Sequence, residues 1–345
     1  MSQLADALVA WQRTHGRHAL PWQNTRDPYR VWLSEIMLQQ TRVTAVLRYY
    51  DRFLARFPDV ASLAAAPLDD VLALWSGLGY YSRARNLHRC AQTVVARHGG
   101  VFPASAAVLA ELPGIGRSTA AAIASFCHDE RVSILDGNVK RVLSRALAFD
   151  GDLAQPAQER ALWDRATTLL PTDRTDMPAY TQGLMDLGAT VCSRSKPDCL
   201  LCPLSGLCAA RASGRMTDYP VRTRKLKRTR RENWCLWLQT ADAVWLQQRP
   251  DSGIWAGLWS LPLFDSEADL QAVVAGADAA RVVALPGFVH VLTHLDWTLH
   301  PRRLGLDPSD ADPLAAQLGE GRWWPLDQLD RIGLPAPFSR LLLPR

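Results

Sequence analysis

The stretch Leu112-Pro113-Gly114-Ile115-Gly116-Arg117-Ser118-Thr119-Ala120 decides how this chain is read. A proline and two glycines stop one helix and make a tight turn, and Ala120, Ile123 and Ala124 then supply the apolar face of the next helix. Gly114 and Gly116 would direct backbone N–H groups outward at a helix N-terminus, where the dipole is positive and a phosphate oxygen can be held. Alone, a Gly-x-Gly turn is more often a plain interhelical connection. Its weight grows with what lies 20 residues beyond Gly116: Ile134-Leu135-Asp136-Gly137-Asn138-Val139-Lys140-Arg141-Val142, an acid beside a glycine ahead of a basic helix start. Asp136 can be the N-cap of that helix or a site carboxylate.

Outward from the hairpin, apolar residues recur at three- and four-residue spacing from Leu4 to about Arg211, which predicts an all-α region. Phe57-Pro58, Ala66-Pro67, Phe102-Pro103 and Leu170-Pro171 help divide it into about ten short helices. From Gly214 to Arg231, Arg215, Arg222, Arg224, Lys225, Lys227, Arg228, Arg230 and Arg231 accumulate against the single acid Asp218, as in an exposed linker. Beyond it, apolar runs such as Trp234-Cys235-Leu236-Trp237-Leu238 and Ala243-Val244-Trp245-Leu246 predict strands. Eight of the 13 tryptophans also lie there, so a separate α/β domain follows.

The charge divides at the same place. Residues 1–231 carry 31 Lys/Arg against 20 Asp/Glu, a net of +11, whereas residues 232–345 carry 8 against 14, a net of −6. The basic part is the candidate for contact with nucleic acid. No apolar stretch is long enough for a membrane span, and the first residues lack the basic and apolar regions of a secretory signal, so a cytoplasmic, nucleoid-associated location is expected.

Four of the seven cysteines, Cys192, Cys199, Cys202 and Cys208, fall within 17 residues as C-x6-C-x2-C-x5-C. In a reducing compartment, four thiolates in one loop imply zinc or a [4Fe–4S] cluster. The six- and five-residue spacers are less usual for zinc and favour iron–sulfur.

With hairpin, aspartate and cysteine quartet in this order, the chain resembles the endonuclease III superfamily of helix-hairpin-helix base-excision glycosylases, and within it the MutY-type adenine glycosylases. Val31-Trp32-Leu33-Ser34-Glu35-Ile36-Met37-Leu38-Gln39-Gln40-Thr41 is similar to that family's catalytic-acid helix. Trp75-Ser76-Gly77-Leu78-Gly79-Tyr80-Tyr81-Ser82-Arg83-Ala84-Arg85-Asn86 is similar to its minor-groove loop. The resemblance implies an all-α core over residues 1–213, with a six-helix module at about 22–130 and the N-terminal helix joining 131–213 in a [4Fe–4S]-bearing module. A basic linker over 214–231 and a Nudix-like α/β lesion-recognition domain over 232–345 complete the expected architecture.

The same resemblance implies a monomeric, monofunctional enzyme that removes adenine mispaired with 8-oxoguanine or guanine in double-stranded DNA. Lyases of the superfamily carry a lysine two residues after the second hairpin glycine. Here that position is Ser118, whose hydroxyl cannot form a Schiff base. Glu35, in an apolar helix, is expected to stay protonated as general acid, and Asp136, near backbone amides, to remain ionised facing the sugar. Gln40 and Tyr80 are implied as wedges that fill the gap left by a flipped nucleotide. Gly114, Gly116, Arg117, Ser118, Asn138 and Lys140 are expected at the DNA backbone, and Trp22, Arg26 and Gln182 around the base.

In the C-terminal domain, Arg249-Pro250-Asp251-Ser252-Gly253-Ile254-Trp255-Ala256-Gly257-Leu258-Trp259 is similar to the entry into Nudix domains. The closely spaced glutamates that hold Mg²⁺ on a diphosphate are missing from Asp265-Ser266-Glu267-Ala268-Asp269-Leu270-Gln271-Ala272-Val273-Val274, so recognition rather than hydrolysis is expected. Related glycosylases sense 8-oxoguanine through a Phe-Ser-His turn. The matching residues are Leu292-Thr293-His294, which keep the hydroxyl and imidazole while replacing the aromatic ring.

Overall fold

A computed structural model describes residues 2–223, 227–275 and 281–343; Arg224 and Lys225 of the basic linker lie outside them. By contact the chain separates into two units, residues 1–64 with 89–225, and residues 65–88 with 226–345. The architecture is a helical part followed by an α/β part built on a mixed sheet, as the sequence predicts.

The helices in chain order are α1 Gln3–His15, α2 Pro28–Leu38, α3 Val43–Arg56, α4 Val60–Ala65, α5 Leu68–Trp75, α6 Ser82–His98, α7 Ala106–Leu109, α8 Arg117–His128, α9 Gly137–Ala146, α10 Pro156–Thr168, α11 Met177–Thr190 and α12 Ala209–Ala212. In the first unit α1 packs along α11, α11 packs on α8 and α9, and α2 packs on α8. Leu8, Leu143, Leu184 and Leu187 are the centre of this core. Gly183 permits the close approach of α1 and α11, because a Cβ there would lie 3.0 Å from Leu8 Cγ. The start of α2 is set twice: Pro28 occupies its first turn, and Asp27 Oδ1 accepts from the Tyr29 amide at 2.9 Å. Among the described residues no helix is long and apolar enough to cross a membrane.

The second unit contains β1 Thr229–Gln239, β2 Ala243–Gln248, β3 Trp259–Ser260, β4 Leu263–Phe264, α13 Glu267–Val274, β5 Val282–Ala284, β6 Phe288–Val291, β7 Leu295–Gly305, α14 Pro308–Gln317, β8 Arg322–Pro325 and α15 Ala336–Leu342. The main strand order is β3-β2-β1-β7-β5. Its centre is the long parallel pair β1 and β7, in register from Thr229 opposite Leu295 to Gln239 opposite Gly305, and the other pairings are antiparallel. Leu295, Trp297 and Leu299 alternate toward the buried face of β7, the two-residue period of a half-buried strand. Helices α13 and α14 cover part of the sheet through Leu270, Val274, Ala311 and Leu314.

The segment 65–88 belongs to this unit through specific contacts. The Tyr81 hydroxyl donates to the Leu334 carbonyl at 2.9 Å, and Arg85 donates to the Ala256 carbonyl. Gly333 lies so close to α5 that a Cβ on it would come within 2.7 Å of Leu72 Cβ. Glu267, one of the few acids where a Nudix helix would hold metal, is tied to Arg302 at 2.7 Å.

Candidate active site

Glu35 sits on α2 among Trp32, Leu33, Ile36 and Met37, each no more than 3% exposed, yet its own carboxyl reaches a cleft of about 1290 Å³ in the first unit. Desolvation, reinforced by the charge of Asp136, pushes that carboxyl up to about 8. Asp136 lines the same cleft and caps α9, its Oδ1 accepting from the Val139 amide at 2.7 Å. It is therefore both the N-cap and a cleft carboxylate. Desolvation raises its carboxyl from the ordinary value, outweighing the Val139 and Asn138 amides and the charges of Arg141 and Lys140. Because Asp136 ionises first, its negative charge helps hold the proton on Glu35.

The hairpin joins this pair. Ser118 Oγ accepts from the Leu135 amide at 3.0 Å, fixing the segment that presents Asp136. Gly114 has φ +77°, a conformation glycine adopts without strain, and Gly116 begins α8 without a side-chain cap. A Cβ on Gly116 would meet nothing within 4 Å, so packing within the protein does not require a glycine there. The side chains expected at the DNA backbone already have protein partners. Arg117 stacks 4.0 Å over the Trp163 ring, Asn138 accepts from Arg141 at 2.9 Å, and Lys140 pairs with Glu159 at 2.7 Å.

Trp22, Arg26 and Gln182 all line the cleft. Trp22 is held edge-on by Tyr50 at 5.3 Å. Arg26 is 63% exposed and bound bidentately to Asp129 at 2.7 and 3.0 Å, which places its guanidinium at the rim. Gln40 follows the end of α2, is exposed, and has φ +56°.

Tyr80, in the second unit, is 45% exposed with φ +50°. Left-handed backbone is uncommon outside glycine, and among the described residues Gln40 and Tyr80 share it with Asp129, Ala148 and Trp255. Arg83 supports Tyr80, its guanidinium 5.2 Å from the Trp75 ring and 5.6 Å from the Tyr80 ring while it donates to the Leu78 and Gly79 carbonyls. The hydroxyls of Tyr80 and Thr293 share a 2.7 Å hydrogen bond. Thr293 and His294 form the tip of the β6–β7 turn, closed by the Leu292 amide donating to the Leu295 carbonyl at 2.8 Å.

The four cysteines of the quartet line one small pocket with Arg145 and Arg211. Arg145, 2% exposed, donates to Cys192 Sγ at 3.3 Å and to the Ser193 and Arg194 carbonyls, while the Cys208 thiol donates to the Arg145 carbonyl at 3.4 Å. Burial first, then neighbouring Cys192, Cys208 and Cys199, pushes the Cys202 thiol up to about 11. Among the described residues no three His, Cys, Asp or Glu side chains converge to hold a single metal ion. Four cysteine thiols lining one pocket are the donor set that an iron–sulfur cluster takes.

The profile of the HhH-GPD superfamily of base excision DNA repair proteins matches residues 33–166, and a NUDIX domain profile matches residues 233–343. The adenine DNA glycosylase of Buchnera aphidicola subsp. Baizongia pistaciae is 35% identical over 342 residues, covering 98% of this chain and 95% of that one. The chain belongs to the adenine DNA glycosylase family. In that family it is an enzyme whose chemistry is hydrolysis of N-glycosidic bonds. The structure of a thermostable thymine-DNA glycosylase superposes with a TM-score of 0.54 at 28% identity, over 61% of this chain and 95% of that one. An endonuclease III bound non-covalently to DNA shares the fold, with a TM-score of 0.51 at 20% identity over 62% of this chain and 95% of that one.

Sequence reasoning overlooked Arg17, which lines the cleft, and the buried Asp186 that binds it. Asp186 has no exposed surface, and it accepts from the Arg17 amide at 2.9 Å, Arg17 Nε at 2.6 Å and Gln182 Nε2 at 2.8 Å. The available signal was an acid among the apolar residues Leu184, Met185 and Leu187 of α11, one turn beyond Gln182, where a buried carboxylate requires a partner.

Proposed function

We propose that the chain is a monofunctional glycosylase that removes adenine paired with 8-oxoguanine or guanine in double-stranded DNA. The observation that carries this reading is the carboxyl pair in one cleft, with Glu35 pushed up to about 8 beside the more acidic Asp136. Protonated Glu35 delivers its proton to the leaving adenine, at N7. Ionised Asp136, held by the start of α9, faces the sugar as positive charge develops on it, and water completes hydrolysis. Among the described residues lining the cleft there is no lysine, which supports hydrolysis without backbone cleavage. Gly114, Gly116, Arg117, Ser118, Asn138 and Lys140 would lie along the DNA backbone. Gln40 and Tyr80 would fill the stack, and Trp22, Arg26 and Gln182 would surround the base.

Thr293 and His294, with Tyr80 already bonded to the former, would read the opposite 8-oxoguanine. Cys192, Cys199, Cys202 and Cys208 would hold a [4Fe–4S] cluster, whose iron balances the thiolate charge and crosslinks the loop. The domain boundaries 1–213, 214–231 and 232–345, a monomeric state and a nucleoid-associated cytoplasmic location belong to the same reading.

Single-turnover excision from duplexes with adenine opposite 8-oxoguanine, guanine or cytosine tests it. Fastest release opposite 8-oxoguanine, abolished in Glu35→Gln, is expected. Equal rates opposite all three would refute lesion recognition, and undiminished release by Glu35→Gln would refute the assigned acid.

A further inference from the structure

The turn that carries Thr293 and His294 is held from three separate segments of the second unit. The Tyr80 hydroxyl shares its hydrogen bond with the Thr293 side chain, and the Leu292 amide closes the turn on the Leu295 carbonyl. The third hold comes from the start of β1. Thr229 donates twice to one acceptor, the His294 carbonyl, from its amide at 3.0 Å and from its hydroxyl at 3.2 Å. Leu295 lies opposite Thr229 in the parallel register of β1 and β7, and Arg228 pairs with Asp296 just beyond it.

A carbonyl oxygen offers two lone pairs, and Thr229 engages both, which fixes the plane of the peptide between His294 and Leu295. The His294 side chain is by contrast exposed, with no hydrogen-bond partner among the described residues. A fixed backbone bearing a free imidazole suits a contact arranged before its ligand arrives. We propose that Thr229 is a positioning residue for lesion recognition, whose double anchor on the His294 carbonyl holds the Thr293–His294 turn in the pose that meets the oxidised guanine. The inference rests on the reading of that turn as the 8-oxoguanine sensor. Recognition groups must be held within about 0.5 Å of their productive positions. Without the Thr229 hydroxyl, a single amide bond remains on the His294 carbonyl and the peptide can rock about it. The ordering is then supplied when the lesion binds, so the cost falls on the duplex whose excision draws on the turn.

The test compares single-turnover excision of adenine opposite 8-oxoguanine and opposite cytosine by the wild-type protein, Thr229→Val and Thr229→Ser. Valine keeps the shape and the backbone amide but removes the hydroxyl, whereas serine retains it. The ratio of the two rates is expected to fall about fivefold in Thr229→Val, through the 8-oxoguanine duplex alone, and to return in Thr229→Ser. A wild-type ratio in Thr229→Val would overturn the proposal. Equal slowing on both duplexes, or a serine variant no better than valine, would show a merely structural threonine and overturn it as well. If Thr229→Val does not fold, Arg228→Gln decides, because it loosens the same end of β1 from β7: a lowered ratio supports the proposal and a wild-type ratio overturns it. A wild-type protein with no preference for 8-oxoguanine would instead refute the reading of the turn as the sensor, and the inference with it.

Discussion

Replacing Glu35 by glutamine should make the protein more stable in mild alkali while destroying its activity. Glu35 is held at about 8 against an ordinary value of 4.5, mainly because its surroundings desolvate the charge. Between those two values the folded state carries a proton that the unfolded chain has released. Stability therefore falls as pH rises through this window, by at most about 1.4 kcal/mol per pH unit and about 5 kcal/mol in total as an order of magnitude. Below pH 4.5 the side chain is protonated in both states and the loss disappears; above about 8 it is complete. Glutamine has nearly the same shape and no charge to release, so the variant should escape the loss. Urea unfolding of both proteins between pH 5 and 9, followed by far-ultraviolet circular dichroism, reads the difference. The expected result is near-equal stability at the acid end and a growing advantage for Glu35→Gln toward the alkaline end. Parallel curves across the range would show that Glu35 is not held protonated, and the argument for it as the acid would fail.

Excision itself should decline above about pH 8 as Glu35 loses its proton, and on the acid side where Asp136 gains one, above the usual carboxylate range; a flat profile would exclude this division of roles. Tyr80→Phe or Thr293→Val should lower the preference for 8-oxoguanine over cytosine opposite adenine by roughly fivefold, the value of one neutral hydrogen bond, with the double variant no worse than either single one. Cys202→Ser should lose bound iron, and tryptic cleavage at Arg194 should become faster as the loop loosens. Retained iron with an unchanged digestion pattern would count against the quartet.

What the sequence disclosed was local. The glycine hairpin, the aspartate that caps α9, the acid embedded in apolar α2 and the cysteine spacing each lie within one turn or loop, where chain geometry leaves little choice. Contacts between distant residues left no comparable trace. Arg17 and Asp186 are 169 positions apart, and Tyr80 and Thr293 are 213 apart. The spacing of residues 65–88 reports helix formation but not the sheet-bearing unit they contact. The burial of Asp136 left no trace either: the nearby amides are visible in the sequence, whereas the desolvation that outweighs them comes from the folded cleft.

The central claim is hydrolysis of the adenine bond without cutting the DNA backbone. Its most direct test is incubation with a labelled duplex carrying adenine opposite 8-oxoguanine, resolved with and without alkali, beside a thymine-glycol duplex. Strand breaks on the adenine duplex that appear only after alkali are expected, with no action on thymine glycol. Breaks without alkali, or action on thymine glycol alone, would contradict the account.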